Sequence, residues 1–282
     1  MRLTSVVLHS ADTLEDLEFS LRESRVGNRY IVRSIVGIDA EEIIAKFYGT
    51  GLVTGNKYHD YVMKPRDVVM RVGLNPKYRM NETVSEIRDE LYRIIAANRT
   101  GAVQLQFKSG GSTVKVITGR ITKFEVAYFE NLPELQITVN CPDPMLRSIL
   151  PATLSPAELP SVNPIVFADN ESTAPHGLSF SVVFTAATAT FTIQDKASSP
   201  DWKFEISPVG GFAVDDELHF SSEYGDKQLY ITNVGGTTHL MDRVDDSSTW
   251  PIVFHGRNEL YFLPIANFDW VQLSYHAAWW GV

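Results

Sequence analysis

Apolar and polar residues alternate through most of this chain, and in one stretch the period lengthens to that of a helix. Leu135, Ile137, Val139 and Cys141 alternate with Gln136, Thr138 and Asn140, which predicts a strand with one buried face. Pro142 and Pro144 then end it, since proline donates no ladder hydrogen bond and restrains the residue before it. Upstream, residues 30–37 read as a strand closing at a glycine turn, and residues 67–74 as another that stops before Asn75-Pro76. Between them lies a loop or hairpin rich in glycine (Gly49, Gly51, Gly55) and in Tyr48, Tyr58, His59 and Tyr61. A helix begins near Thr83, where Thr83 and Glu86 form a capping box. Val84, Ile87, Leu91, Ile94 and Ile95 then recur on one stripe, and Gly101 takes the usual closing position. Residues 103–107 and 114–117 alternate around the turn at 109–112, a hairpin pattern. A strand, turn and strand follow from Gly119 to Arg147.

The second half has no helical period. Short alternating runs at 178–182, 189–193, 203–206, 229–232, 259–262 and 270–275 are separated by Gly-, Ser- and Asp-rich turns, which predicts an antiparallel sandwich. Between the halves, Pro151, Pro156, Pro160 and Pro164 mark a stiff, extended segment that cannot serve as a central strand. The expected organisation is a first domain over 1–150, a Pro-rich linker over 151–163 and a second domain over 164–282. The fold class is α+β, mostly β.

Charge supports the same boundary. Residues 1–150 carry about 20 Lys and Arg against 18 Asp and Glu, whereas residues 151–282 carry about 5 against 16. So acidic a second half is a poor binder of nucleic acid or anionic membrane, because phosphate contacts need Lys and Arg. Otherwise the composition, 44% apolar and 21% charged, is that of an ordinary globular protein. No run reaches the length of a membrane-spanning helix. The apolar stretch after Met1 is too short for a signal peptide. The one cysteine, Cys141, has no internal disulfide partner and reads as a small buried hydrophobe.

Catalytic signatures are missing. The seven histidines lack zinc-binding spacing, and there is neither a nucleophile elbow nor a phosphate-cradling glycine loop. Asp215-Asp216-Glu217 offers carboxylates, but neighbours on a turn rarely converge on one substrate bond. Asp242, Asp245 and Asp246 lack the alternating ligands and central glycine of a calcium loop and read as a solvated turn. No metal or cofactor is expected, and no enzymatic activity. The residues that stand out are aromatic. Trp202, Trp250, Trp279 and Trp280 could stack on sugar rings, or could fill the sandwich core or a subunit contact. In a regular strand, Trp279 and Trp280 point to opposite faces, so at most one of them is exposed.

The order of these elements resembles the distal tail proteins of siphophages, the hub proteins at the tip of long non-contractile tails. The matching features are the turn Gly37-Ile38-Asp39, the strand from Arg66 to Leu74, Leu91-Tyr92 on the helix, Gly119-Arg120-Ile121, and the closing Cys141-Pro142-Asp143-Pro144. Gly256-Arg257-Asn258-Glu259-Leu260 and Tyr275-His276-Ala277-Ala278-Trp279-Trp280 match the family's last strands. Residues 195–250 match nothing in it. The resemblance implies an N-terminal split β-barrel-like, ring-forming domain and a C-terminal galectin-like or carbohydrate-module-like sandwich. It also implies a homo-hexamer in the virion tail tip, assembled in the bacterial host cytoplasm. Such a ring joins the tail tube protein to the tail-associated, receptor-binding machinery. The tape measure protein would be a further partner, and a central channel would let DNA pass. Within that expectation, Tyr48, Tyr58, His59 and Tyr61 are candidates for an inter-subunit contact arm. Trp279 and Trp280 are the candidates for carbohydrate stacking, the alternative being a carbohydrate-binding module that uses the sandwich.

Overall fold

A computed structural model of the chain describes residues 3–10, 16–21, 28–39, 43–49, 56–77, 81–97, 101–110, 112–126, 133–154, 165–170, 172–195 and 202–281. The chain divides into two compact units, one of Met1–Ile149 with Trp280–Val282 and one of Leu150–Trp279. Among the described residues no helix is long and apolar enough to cross a membrane.

The first unit contains strands β1 (Ser5–Ser10), β2 (Asp16–Ser20), β3 (Tyr30–Val36), β4 (Ile43–Gly49), β5 (Asn56–Met63) and β6 (Arg66–Leu74). Helix α1 (Val84–Ala97) follows, then β7 (Val103–Ser109), β8 (Ser112–Val126), β9 (Glu134–Cys141) and the short β10 (Leu146–Arg147). Seven of the strands close into a barrel in the order β8-β7-β1-β2-β3-β6-β9, with β9 returning to β8. Closure removes the open edges that would otherwise invite foreign strands. The seam between β2 and β3 is the exception to the antiparallel ladder. It is parallel and rests on the single register pair Ser20↔Ile31.

Inward packing follows the alternation in the sequence. In β9, Leu135, Ile137, Val139 and Cys141 are buried and the residues between them are half-exposed. Burying side chains of this size contributes roughly 1.5–3 kcal/mol each, more than any surface ion pair on the same strand could. Cys141 is fully buried, and burial pushes its thiol up to about 12. It is therefore a packing residue and no nucleophile at neutral pH. Helix α1 presents Ile87, Leu91, Ile94 and Ile95 to the interior, and Tyr92 meets Phe124 of β8 edge to face with centroids 4.7 Å apart. Its start carries the expected box: the Thr83 amide donates to Glu86 at 2.8 Å, and the Glu86 amide donates to the Thr83 hydroxyl at 3.3 Å. Arg29, just ahead of β3, grips Glu82 and Glu90, which ties the helix to the barrel wall. The helix ends at Ala97, and the expected closure by Gly101 falls past residues 98–100, which lie outside the described residues.

The sequence suggests a hairpin strand at 114–117 and a separate one from Gly119. The structure joins them into one strand of 15 residues. The first part of β8 pairs with β7 as far as Val103↔Gly119, and the rest pairs with β9 from Arg120↔Asn140 onward. The changeover requires glycine. A Cβ on Gly119 would stand 2.5 Å from the Asn140 carbonyl oxygen and 2.8 Å from the Cys141 sulfur. Gly37, in the turn after β3, has a φ of +84° and packs its Cα so near the Asp67 carbonyl that a side chain has no room.

The second unit contains β11 (Ala152–Leu154), β12 (Ile165–Asn170), β13 (Ser179–Phe184), β14 (Phe191–Asp195), β15 (Trp202–Ile206), β16 (Glu217–Glu223) and β17 (Asp226–Asn233). It continues with β18 (Gly236–His239), β19 (Gly256–Leu263), β20 (Phe268–Tyr275) and β21 (Ala278–Trp279). Two antiparallel sheets, β11-β20-β13-β16-β17-β18 and β12-β19-β14-β15, form the expected sandwich. Its core is dominated by phenylalanine: Phe180, Phe184, Phe191, Phe204, Phe220 and Phe262 sit in one buried cluster. Many of these rings meet edge to face, as Phe180 and Phe262 do at 5.5 Å, the arrangement their quadrupoles favour. Ala152–Leu154, at the start of the Pro-rich segment, pairs as an edge strand with β20, and residues 155–164 lie outside the described residues.

Gly119→Ala should destabilise the chain by about 1–3 kcal/mol, the usual cost of forcing an atom into a close-packed strand crossing. Urea unfolding measures this, and an unchanged midpoint would show that the ladder changeover is not tightly packed.

Candidate assembly and binding surfaces

The residues expected in a contact arm fall on two paired strands. Among the described residues β4 and β5 pair with each other alone, as a separate two-stranded sheet. The register sets Ala45 opposite Tyr61, Phe47 opposite Tyr58 and Tyr48 opposite Lys57, and a bulge between Lys46 and Phe47 leaves His59 unmatched. Tyr48, Tyr58, His59 and Tyr61 thus all lie on one hairpin. Hairpins of this kind are marginal in water without further cover.

The tryptophans do not gather. Trp202 and Trp250 pack against the phenylalanine core. Trp250 lies 4.9 Å from Phe204 and 5.5 Å from Phe220, with the Lys227 ammonium 5.0 Å over its ring. Trp270 joins them, 4.9 Å from Phe262. Trp279 and Trp280 are both half-buried. Trp279 ends β21 in the second unit, while Trp280 belongs to the first.

The Trp280 carbonyl is held by the most deeply buried cation among the described residues of the first unit. Arg66, fully buried at the start of β6, donates from Nη2 to that carbonyl at 2.6 Å. Lys115 of β8, nearly buried, donates to the Gly281 carbonyl at 2.7 Å, and burial lowers its ammonium below the ordinary lysine range. Arg66 faces Cys141 across the β6–β9 ladder. The arginine opening one matched motif and the cysteine opening another are therefore neighbours.

The carboxylate clusters have structural roles. Asp216 is buried, accepts the Ala213 amide at 2.8 Å and the Asn233 side-chain amide at 2.9 Å, and so fixes two turns. Asp245 caps its own turn by accepting the Ser247 amide at 2.9 Å, which holds its carboxyl below the usual range together with the Ser247 hydroxyl. No group of three or more His, Cys, Asp or Glu is arranged to hold a metal among the described residues. In the Gly256-Arg257-Asn258 motif, Asn258 is buried and clamps the turn: it accepts the Phe254 amide and donates to the Phe254 carbonyl, each at 2.8 Å.

One surface was invisible in the linear sequence. A groove of about 240 Å³ runs over the outer face of the six-stranded sheet. Register builds it in two rows across β20, β13, β16 and β17. In one row Ser274, Ser179, Ser221 and Gln228 stand side by side. In the other stand Gln272, Ser181, His219 and Tyr230. The rings of His219 and Tyr230 stack, with centroids 4.7 Å apart and planes 20° from parallel. The alternation in each strand marks these positions as outward-facing, but only pairing brings residues from 179 to 274 together.

The SPP1 Dit (gp 19.1) protein, described as a paradigm of hub adsorption apparatus in Gram-positive infecting phages, matches with a TM-score of 0.62. The match covers 97% of this chain and 98% of that one at 12% identity, which establishes a shared fold through both units. Two structures of the phage p2 baseplate in its activated conformation, with Sr and with Ca, align over 97% of each chain at 6% identity. Their TM-score of 0.45 is too low to define a common fold. No protein-family model matches the sequence, and neither does any curated protein.

Arg66→Met should cost about 1.5–3 kcal/mol, as expected for losing a charge-assisted hydrogen bond in a buried setting. A chain ending at Trp279 should lose more, since it also removes the Gly281 carbonyl that Lys115 holds, and adding Arg66→Met to that truncation should cost little further, because both break the Arg66 contact. Fully additive losses in urea unfolding would disconnect Arg66 from the C-terminal segment.

Proposed function

We propose that this chain is a distal tail hub protein of a siphophage, a structural and non-enzymatic component of the virion tail tip. The observation that carries the reading is the shared fold with SPP1 Dit across 97% of the chain. The sequence motifs that match the family fall at structural keystones: the Gly119 changeover, the buried Arg66 and the Asn258 clamp. In this reading six copies close into a homo-hexameric ring through a heterologous interface, which gives a ring when the rotation closes. The barrel units, residues 1–150, form the ring and stack on the tail tube protein. The sandwich units, after the Pro-rich linker, project toward tail-associated protein at the tip. The lumen accommodates the tape measure protein and then DNA in passage. Assembly takes place in the bacterial host cytoplasm, with no membrane involvement and no cofactor.

The β4–β5 hairpin is the proposed arm between copies. A lone two-stranded ribbon gains stability when another subunit covers it, and its free edges offer a neighbouring copy hydrogen-bonding backbone. Light scattering on the purified chain should give about 190 kDa, six times the 31.6 kDa protomer. Replacing residues 43–63 with a short Gly-Ser bridge should reduce the mass to that of one protomer while thermal unfolding of the remainder stays cooperative. Intact hexamers after that replacement would rule out the arm as the ring contact.

A further inference from the structure

We infer that the groove on the six-stranded sheet is a binding site for a neutral saccharide, at a place distinct from Trp279 and Trp280 and independent of whether the chain forms a ring. The case starts from composition. The lining holds no lysine or arginine, and Asp226 is its only acid. In a chain whose residues are 21% charged, an outward sheet face of serine, glutamine, histidine and tyrosine is not the usual solvated surface. Serine hydroxyls and glutamine amides both donate and accept, which is the hydrogen-bonding character of sugar hydroxyls. A phosphorylated or carboxylated ligand would meet no cation there and would face Asp226.

Shape adds a second, separate argument. Serines at 179, 181 and 221 leave the floor low, while Gln272 on β20 and the rings of His219 and Tyr230 rise on either side. Ser179 and Ser221 hydroxyls bond to each other at 3.0 Å, which holds the floor in place. His219 is fixed by Thr232, 3.1 Å from its Nε2, and by the stack on Tyr230. One face of the imidazole is covered by Tyr230. Because β16 lies between β17 and β13, the other face turns toward the space above Ser181. A pyranose ring set over Ser181 would stack its C–H face on the imidazole and present hydroxyls to Gln272, Ser179 and Ser274. Phe180 and Phe220 also border the groove, but both belong to the buried core and leave little apolar surface for a peptide side chain, so a polyol is the better fit.

The test uses the full chain and a panel of maltose, lactose, cellobiose and their tetrasaccharides, observed by saturation-transfer NMR and titration. At least one should saturate with Kd of about 1 mM or tighter, the range of a modest polar site. Ser181→Arg, which fills the floor from a half-exposed position, should abolish that binding, and His219→Ala should weaken it about tenfold. Thr237→Ala on exposed β18 and Trp279→Ala should leave it unchanged. If Ser181→Arg unfolds the chain, Gln272→Ala at an exposed position gives the same reading with a smaller loss. The absence of saturation by every sugar at ~10 mM, far above that Kd, would overturn the proposal. So would binding that survives Ser181→Arg in a folded chain or that is lost in Trp279→Ala.

Discussion

The seven-stranded barrel closes through β8, which pairs with β7 as far as Gly119 and with β9 from Arg120 onward. Everything else in the first unit depends on that changeover. It lets β9 pair with both β6 and β8. It also fixes Cys141 beside Gly119 and places Arg66 opposite Cys141, so that the arginine can hold the Trp280 carbonyl. A side chain at 119 would push these groups apart. Burial of a charged guanidinium is costly without partners, so its hydrogen bond to the returning C-terminal segment is part of what makes the site tenable.

Much of this was legible in the sequence where one element carries its own signal. The alternation of 135–141 gave β9 its buried face, and Thr83 with Glu86 marked the helix start that the structure shows bond for bond. The short alternating runs between turns announced the sandwich. Misreadings arose where local and long-range signals differ. Asp215-Asp216-Glu217 reads as a turn, yet Glu217 begins β16, because its pairing with β13 and β17 outweighs the local preference. The serine- and glycine-bearing stretch 112–126 reads as two short strands and is one, since its two partners lie on opposite sides of Gly119. Trp202 and Trp250 are individually ambiguous between platform and core, and only the packing against Phe204 and Phe220 assigns them to the core. The outer groove had no local signal, being assembled from four strands about 95 residues apart at the extremes.

Function separates along the same line. The first unit holds a closed barrel and a separate two-stranded sheet, the parts that the proposed ring would use, and the second holds the polar groove proposed for recognition. Acidic charge concentrated after residue 150 fits a unit that meets solvent and proteins and has no need to hold a phosphate backbone.

Negative-stain electron microscopy of the purified chain addresses the central claim most directly. The account predicts closed rings of six copies around an open centre. Rings of another order, or only single copies at concentrations well above those used for imaging, would contradict it.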